Sequence, residues 1–283
     1  MSEQIHWSTI NFGGSIDALH AKHARGFCFE AHWHEEFTVG LIDSGVVHLN
    51  HDGKTERITT GKVTIVNAGE VHSADGFGAP SLGFRMLFIP ESCFREVVSQ
   101  RTKLPGSLHF SQTVLSDPSV SRDLSKALQT LDSDASLLAK QGVLLNIMAA
   151  VIRRFSSWSD VIDRSATPST LDRAREYLHD RISEDVSLDD LGTETGLTKF
   201  HLVRAFRNRF GLPPHAYQLQ QRVLRAKRLL KSFSPSHAAL ECGFSDQSHF
   251  TRVFRARMGT TPRRYAGQFR PIPANIVVRT LHE

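Results

Sequence analysis

Only three cysteines, Cys28, Cys93 and Cys242, occur in 283 residues. They are widely spaced and odd in number, so no disulfide framework is expected and a reducing compartment is. Long apolar runs are missing as well. The longest candidate, residues 143–152, is interrupted by Asn146 and falls short of the ~18 residues of a spanning helix, so no membrane partner is expected. The first residues, Met1-Ser2-Glu3-Gln4-Ile5-His6, lack a basic segment followed by an apolar one, which points to the cytoplasm.

At this length two domains with separate cores are expected. The formal charge of +5 is unevenly placed: residues 1–167 hold 15 Lys+Arg against 18 Asp+Glu, and residues 168–283 hold 19 against 11. From Lys199 to Arg270 there are 15 basic residues and two acidic ones, Glu241 and Asp246. That is the electrostatic footprint of a phosphate-binding surface.

The same region is internally duplicated. At a constant offset of 48 residues, nine positions pair, among them His201/His249, Arg204/Arg252, Phe206/Phe254, Arg207/Arg255, Gly211/Gly259, Pro214/Pro262 and Tyr217/Tyr265. Each copy opens with a short helix, a glycine able to take a left-handed turn (Gly196, Gly243) and a hydroxyl expected to cap the next helix (Thr198, Ser245). That next helix carries apolar residues at i and i+4 (Leu202, Phe206; Phe250, Phe254), which leaves its other side for polar contacts. The candidates on that side are Lys199, Phe200, His201, Arg204 and Arg207 in one copy, and Gln247, Ser248, His249, Arg252 and Arg255 in the other. Arginine can pair with guanine and glutamine with adenine, so these residue types suit a major groove. Arg204 and Arg252 are the first candidates for base contacts; Arg207, Arg209, Arg255 and Arg257, toward the helix ends, are expected to hold phosphates. The connecting helix is expected to turn Leu219, Val223, Ala226 and Leu230 inward, and Arg222, Arg225, Lys227 and Arg228 outward.

Residues 171–270, through Gly243-Phe244-Ser245, the segment Ser248-His249-Phe250-Thr251-Arg252-Val253-Phe254-Arg255 and Gly259-Thr260-Thr261-Pro262, resemble the double helix-turn-helix domain of the AraC/XylS family of transcriptional regulators. Departures are Ala238-Ala239, Gly192 and Ala266, none at a proposed base-reading position. The resemblance implies an effector-responsive regulator of double-stranded DNA, commonly a homodimer, with RNA polymerase as a candidate further partner and activation as one mode of action.

Residues 5–89 read as strands separated by turns: Phe37-Thr38-Val39-Gly40-Leu41-Ile42, Val46-Val47-His48-Leu49 and Val63-Thr64-Ile65-Val66. An antiparallel barrel or jelly roll is expected. His32-Trp33-His34 places two imidazoles on one face, and Gly61, Gly69 and His72 follow in a Gly-x7-Gly-x2-His run. This resembles the two motifs of the cupin barrel, in which such histidines converge on a divalent metal. The first motif's Glu is absent and the second motif's Pro is Asn67. His32, His34 and His72 are therefore candidate effector contacts, and candidate ligands for Zn, Ni or Fe in a protein that requires no cofactor. Cys28, close by, is either a redox-sensitive thiol or an inert buried one.

Helices are expected over residues 91–103, 117–131 (capped by Ser116) and 134–158. The last has an apolar stripe suited to core packing or a dimer seam. The expected organisation is multidomain α+β: residues 1–158 form a cupin-like effector-binding and dimerisation domain, 159–170 a linker, 171–270 an all-α domain of two helix-turn-helix units, and 271–283 a tail. The predicted protein is a regulator and not an enzyme. The alternative is a metal-dependent cupin enzyme or metal sensor fused to a DNA-binding domain.

Overall fold

A computed structural model describes residues 4–12, 14–76, 78, 81–99, 107–159 and 169–269. Nine strands come first: β1 (Gln4–Asn11), β2 (Ser15–Ala24), β3 (Cys28–His32), β4 (Phe37–Ser44), β5 (Val46–His51), β6 (Lys54–Thr59), β7 (Val63–Val66), β8 (His72–Asp75) and β9 (Leu82–Ile89). Helix α1 (Glu91–Ser99), strands β10 (Ser107–Phe110) and β11 (Val114–Leu115), helices α2 (Pro118–Leu131) and α3 (Leu137–Phe155), and strand β12 (Ser156–Ser159) complete the N-terminal part.

The strands form a six-stranded sheet, β1-β2-β9-β4-β7-β11, and a four-stranded sheet, β3-β8-β5-β6. This is a jelly-roll-like pair of sheets and not one closed barrel. β4 is buried along most of its length because both faces of its sheet are covered. Phe37, Val39 and Leu41 pack with Phe94, Leu124 and Met148 of the helical layer, while Ile42 packs with Val47, Leu49 and Phe84 between the sheets. That two-sided burial is why β4 reads as a nearly continuous apolar run.

Several local expectations need correction. Asp117, not Ser116, caps α2, its Oδ1 accepting from the Ser119 amide at 2.8 Å. α3 begins after Ser136 and ends at Phe155, and residues 156–159 pair through their backbone with β10 instead of continuing the helix or starting a linker. Ser-Ser-Trp-Ser has no helical apolar period, and a β ladder asks only for its amides and carbonyls. The helix expected over 91–103 is present to Ser99, and its last residues lie outside the described ones. So do most of the expected linker and the tail 271–283.

Among the described residues the C-terminal part is all helical: α4 (Thr170–Asp180), α5 (Leu188–Thr195), α6 (Lys199–Phe210), α7 (Pro214–Leu229), α8 (Pro235–Glu241), α9 (Gln247–Met258) and α10 (Pro262–Gly267). Ser169/Asp172 and Ser187/Asp190 form capping boxes at α4 and α5. Thr198 and Asp246 cap α6 and α9. Each cap satisfies amides the helix cannot and contributes about 1 kcal/mol.

Candidate effector cavity and nucleic-acid interface

Strand register builds the histidine cluster. His32 of β3 stands opposite His72 of β8 in the antiparallel ladder, and His34 lies two residues beyond His32. Trp33, between them, turns the other way and stacks on Tyr217. The rings converge, with centroids 4.5 Å apart for His32–His72, 4.8 Å for His32–His34 and 5.1 Å for His34–His72. One ligand-capable atom from each lies within 4.8 Å of the others, and all three residues are buried. His32 Nδ1 is 2.6 Å from the Glu30 carbonyl and His72 Nδ1 is 3.0 Å from that of Glu70. Donation to those carbonyls puts the proton on Nδ1 and leaves Nε2 as the lone-pair nitrogen. Burial lowers all three pKa values, His72 to about 4, and neighbouring imidazoles push His32 and His34 further down. The cluster is neutral at pH 7.

The histidines open onto a cavity between the sheets, walled by Phe29, Met86 and Phe88 and closed by Arg257 and Met258 of α9. Its volume is about 40 Å³, room for two to four water-sized groups. Cys28 is exposed and lines a different space, a cleft of about 760 Å³ that runs along α9 from Gln247 to Ala256 and on to Thr261. Cys93 and Cys242 are buried free thiols.

The two helix-turn-helix units form as expected. Gly196 and Gly243 take φ of 71° and 72°, where a side chain would be strained; at Gly243 a Cβ would also fall 2.2 Å from the Ser183 carbonyl oxygen. Leu202, Phe206, Phe250 and Phe254 are fully buried. Lys199, Phe200, His201, Arg204 and Arg207 of α6 are exposed, Phe200 by 79 %. Gln247, Ser248, Arg252 and Arg255 of α9 are exposed and His249 partly so. Asp246, not Ser245, is the α9 cap, because its Oδ1 accepts from the His249 amide at 2.7 Å while the Ser245 hydroxyl turns to Asp246 itself.

Three basic residues expected to be free are committed inside the protein. Arg222, 5 % exposed, donates to the carbonyls of Ile182, Glu184 and Gly243 and so ties the connection between α4 and α5 to the glycine turn of the second unit. Lys227, also 5 % exposed, lies 2.8 Å from Glu36 Oε1 and 3.4 Å from Asp17 Oδ2. Burial draws the Lys227 pKa down, but the two carboxylates outweigh it and hold it above its ordinary value. Arg257, 6 % exposed, faces the cavity instead of a phosphate. Arg228, outward as expected, pairs with Glu35 at 2.7 Å, and Arg209 pairs with Asp172 at 2.8 Å.

The helical part is docked on the sheets at several points. Lys231 adds an ion pair to Asp17 at 2.9 Å, Gln220 Nε2 donates to the Trp33 carbonyl at 2.8 Å, and the Trp7 amide donates to Gln268 Oε1. Trp7 meets Tyr265 edge-on at 5.4 Å. Sequence patterning missed these residues because their partners lie some 190 to 260 positions away.

A ligand cavity in a jelly-roll-like domain beside a duplicated helix-turn-helix defines a DNA-binding regulator with a sensor domain. Comparison with known proteins agrees at each level. Residues 16–148 match an AraC-like ligand binding domain and residues 191–268 a helix-turn-helix domain. The chain is 30% identical over 225 residues to the HTH-type transcriptional regulator YbfI of Bacillus subtilis, covering 78% of this chain and 81% of that protein. It is 24% identical over 233 residues to the HTH-type transcriptional activator RhaS of Shigella sonnei, covering 79% and 82%. The fold is similar to that of apo ToxT K231A from Vibrio cholerae, with a TM-score of 0.56 at 14% identity over 93% of this chain and 100% of ToxT. The chain belongs to the AraC family of transcriptional regulators; these relatives are regulators and not enzymes.

Proposed function

We propose that the cavity between the sheets is the effector site and that the DNA-binding part is held on it in a closed state. One observation supports this reading: α9, the proposed second recognition helix, lines both the cleft and the histidine cavity. Its Gln247, Ser248, Arg252 and Arg255 present the base-reading and phosphate groups, while its Arg257 and Met258 close the histidine cavity. Across the cleft from the reading residues stand Arg25 to Cys28 of the sheet domain. A duplex whose major groove alone is about 12 Å wide and 8.5 Å deep does not seat in a 760 Å³ cleft. DNA binding through α9 therefore requires undocking, and an effector acts through its differential affinity for the docked and undocked states.

In the undocked state α6 and α9 enter successive major-groove segments about one helical turn apart. Arg204 and Arg252 read bases, with Phe200, His201, Gln247, Ser248 and His249 beside them, and Arg207 and Arg255 hold phosphates. Exposed Leu137, Leu138 and Leu145 on α3 supply an apolar face for a second copy of the chain. Transcriptional activation through RNA polymerase, in the cytoplasm, is the output that accords with the activator relative.

The test is to weaken the dock from the sheet side. The double variant Asp17→Asn, Glu36→Gln removes the carboxylates facing Lys227 and touches no proposed DNA contact. It is expected to bind a duplex recovered by selection from a random library at least about fivefold more tightly than the parent, since apparent affinity scales with the competent fraction. Unchanged affinity defeats the docking model.

A second reading concerns the same histidines. Three neutral imidazoles, two of them (His32 and His72) with Nδ1 fixed by a carbonyl and Nε2 left as the lone-pair nitrogen, fit a divalent Zn, Ni or Fe ion, which would leave a coordination position for an effector and polarise it. Nitrogens about 2.0–2.1 Å from a tetrahedral ion sit roughly 3.4 Å apart, so the cluster would close slightly around it. Metal analysis of protein purified without chelator or metal column, beside a His32→Ala/His72→Ala control, decides the matter: stoichiometric metal lost in the control supports it, and none in either protein removes it.

A further inference from the structure

We propose that the cavity between the sheets binds a short-chain monocarboxylate, of the size of formate, acetate or propionate, through Arg257, Trp7 and Thr38. This rests on the assignment of that cavity as the effector site, and it names the ligand's chemistry and its effect.

Three hydrogen-bond donors with no partner line this one small space. Trp7 Nε1, Thr38 Oγ1 and Arg257 Nε are each buried without an acceptor among the described residues. Trp7 is 1 % exposed, Thr38 3 % and Arg257 6 %. Buried donors are normally satisfied, and leaving one unpaired is costly. A buried guanidinium is a stronger demand still, because its charge needs a counter-charge. Among the described residues the one carboxylate paired with Arg257 is that of Glu30, 3.8 Å away on a side chain that is itself mostly exposed, and the guanidinium's one hydrogen bond there is a long one, 3.4 Å, to the Val253 carbonyl.

An acceptor-only anion matches three unpaired donors whose residues line one space, one of them cationic. Size narrows the class. About 40 Å³ admits two to four water-sized groups, far below the 300–1,000 Å³ of a drug-sized pocket. Beside the three neutral histidines and Thr64, the rest of the wall is apolar, with Met86, Phe88 and Met258 among it, which suits one or two carbons behind the carboxylate and disfavours sulfate or phosphate.

The donors come from both parts of the protein. Trp7 lies on β1 and Thr38 on β4, whereas Arg257 lies on α9. A carboxylate held by all three fastens the second recognition helix to the sheets. It stabilises the docked state and lowers affinity for DNA.

The experiment is calorimetric titration of the full chain with sodium formate, acetate and propionate, against sodium chloride at equal ionic strength and against acetamide, a neutral isostere of acetate. A ligand of four heavy atoms cannot bind more tightly than about 40 μM, so the titration spans the high micromolar to millimolar range. Saturable one-to-one binding of a carboxylate is expected, with acetamide at least tenfold weaker. Thr38→Val, which keeps the shape, and Trp7→Phe, which keeps the ring contact, are each expected to weaken binding about tenfold, as loss of a hydrogen bond to a charged group does. Arg257→Gln abolishes it. Absence of saturable binding, equal binding of acetamide, or unchanged binding in Thr38→Val and Trp7→Phe overturns the assignment. Acetate is further expected to weaken binding to the selected duplex severalfold in the parent and not in Thr38→Val. Carboxylate binding that the variants lose, with DNA affinity unaffected throughout, supports the ligand class while defeating the docking model. Tighter DNA binding by the Asp17/Glu36 variant with no carboxylate bound does the reverse.

Discussion

Trp33 stacks on Tyr217 with ring centroids 4.7 Å apart and planes 29° from parallel. Tyr217 is the position that the internal duplication repeats as Tyr265, and Tyr265 meets Trp7. The two halves of the DNA-binding part thus dock through equivalent tyrosines, each on its own tryptophan of the sheet domain. The apolar anchor of each unit lies at its C-terminal end, after the glycine turn, which leaves the outer faces of α6 and α9, polar apart from Phe200, outside the dock.

If these pairs join the two parts, Trp33→Ala uncouples them. A stacked, buried tryptophan contributes about 3 kcal/mol when truncated, mostly lost packing with a smaller ring–ring part. Trp33 packs with the α4–α7 cluster and not with the core between the sheets, so the sheet domain keeps its own stability. Differential scanning calorimetry is expected to resolve two unfolding transitions in Trp33→Ala where the parent gives one. A single transition in the variant speaks against coupling through this stack.

Lys227 is the second joint. It is buried with Asp17 and Glu36, and Lys231 also reaches Asp17. Lys227→Met leaves a buried pair of carboxylates short of a cation, which costs about 3–5 kcal/mol. The exposed pair Arg228–Glu35 contributes no more than about 1 kcal/mol. Urea unfolding at low and high salt separates them: the Lys227 effect persists in high salt and that of Glu35→Gln disappears.

Much of the architecture was legible in the sequence because it is written locally. The offset of 48 residues, the glycine turns and the i, i+4 phenylalanines each act within a few turns of helix, and the helices and their faces follow. Short apolar runs bounded by turn residues marked β4, β5 and β7. The three histidines were legible as a set because the cupin-like spacing carries their register, although that spacing is silent on the His32–His72 pairing that brings the rings together. Docking was not legible. Lys227, Arg222 and Arg257 look like solvated charges on a basic surface, and only the partners brought by the other half of the chain turn them inward. Trp7 and Thr38 carry no motif; their significance is a missing hydrogen bond, visible only once the surrounding side chains are placed.

The histidine cluster makes stability depend on pH. His72 is held neutral with a pKa of about 4 against an ordinary 6.5. Between those values the unfolded chain binds the extra proton, so stability is fully present above about pH 6.5 and is lost as pH falls toward 4. For the metal-free protein in chelator, His72 contributes about 2 kcal/mol of loss between pH 7.5 and pH 5.0. His32 and His34 act in the same direction. Urea midpoints across that range, compared with His72→Asn, check the sign: the parent loses more stability on acidification than the variant. A parent that gains stability toward pH 5 contradicts the buried neutral cluster.

The two exposed arginines of α9 are expected to separate recognition from attraction. Arg252 lies in the middle of the helix, and Arg255 stands in its last turn among the phosphate candidates. Arg252→Ala removes a bidentate base contact, worth about 1–3 kcal/mol against the wrong base, so it relaxes preference at one position of a selected duplex. Arg255→Ala removes a phosphate contact, so it weakens every sequence alike and lowers the slope of log affinity against log salt by about one. Binding titrations of both variants on the selected duplex and its single-base substitutions, at several salt concentrations, distinguish the roles. If both variants weaken all duplexes equally and shift the slope equally, α9 holds the backbone without reading bases at Arg252, and specificity rests with α6, where Arg204, Phe200 and His201 are exposed.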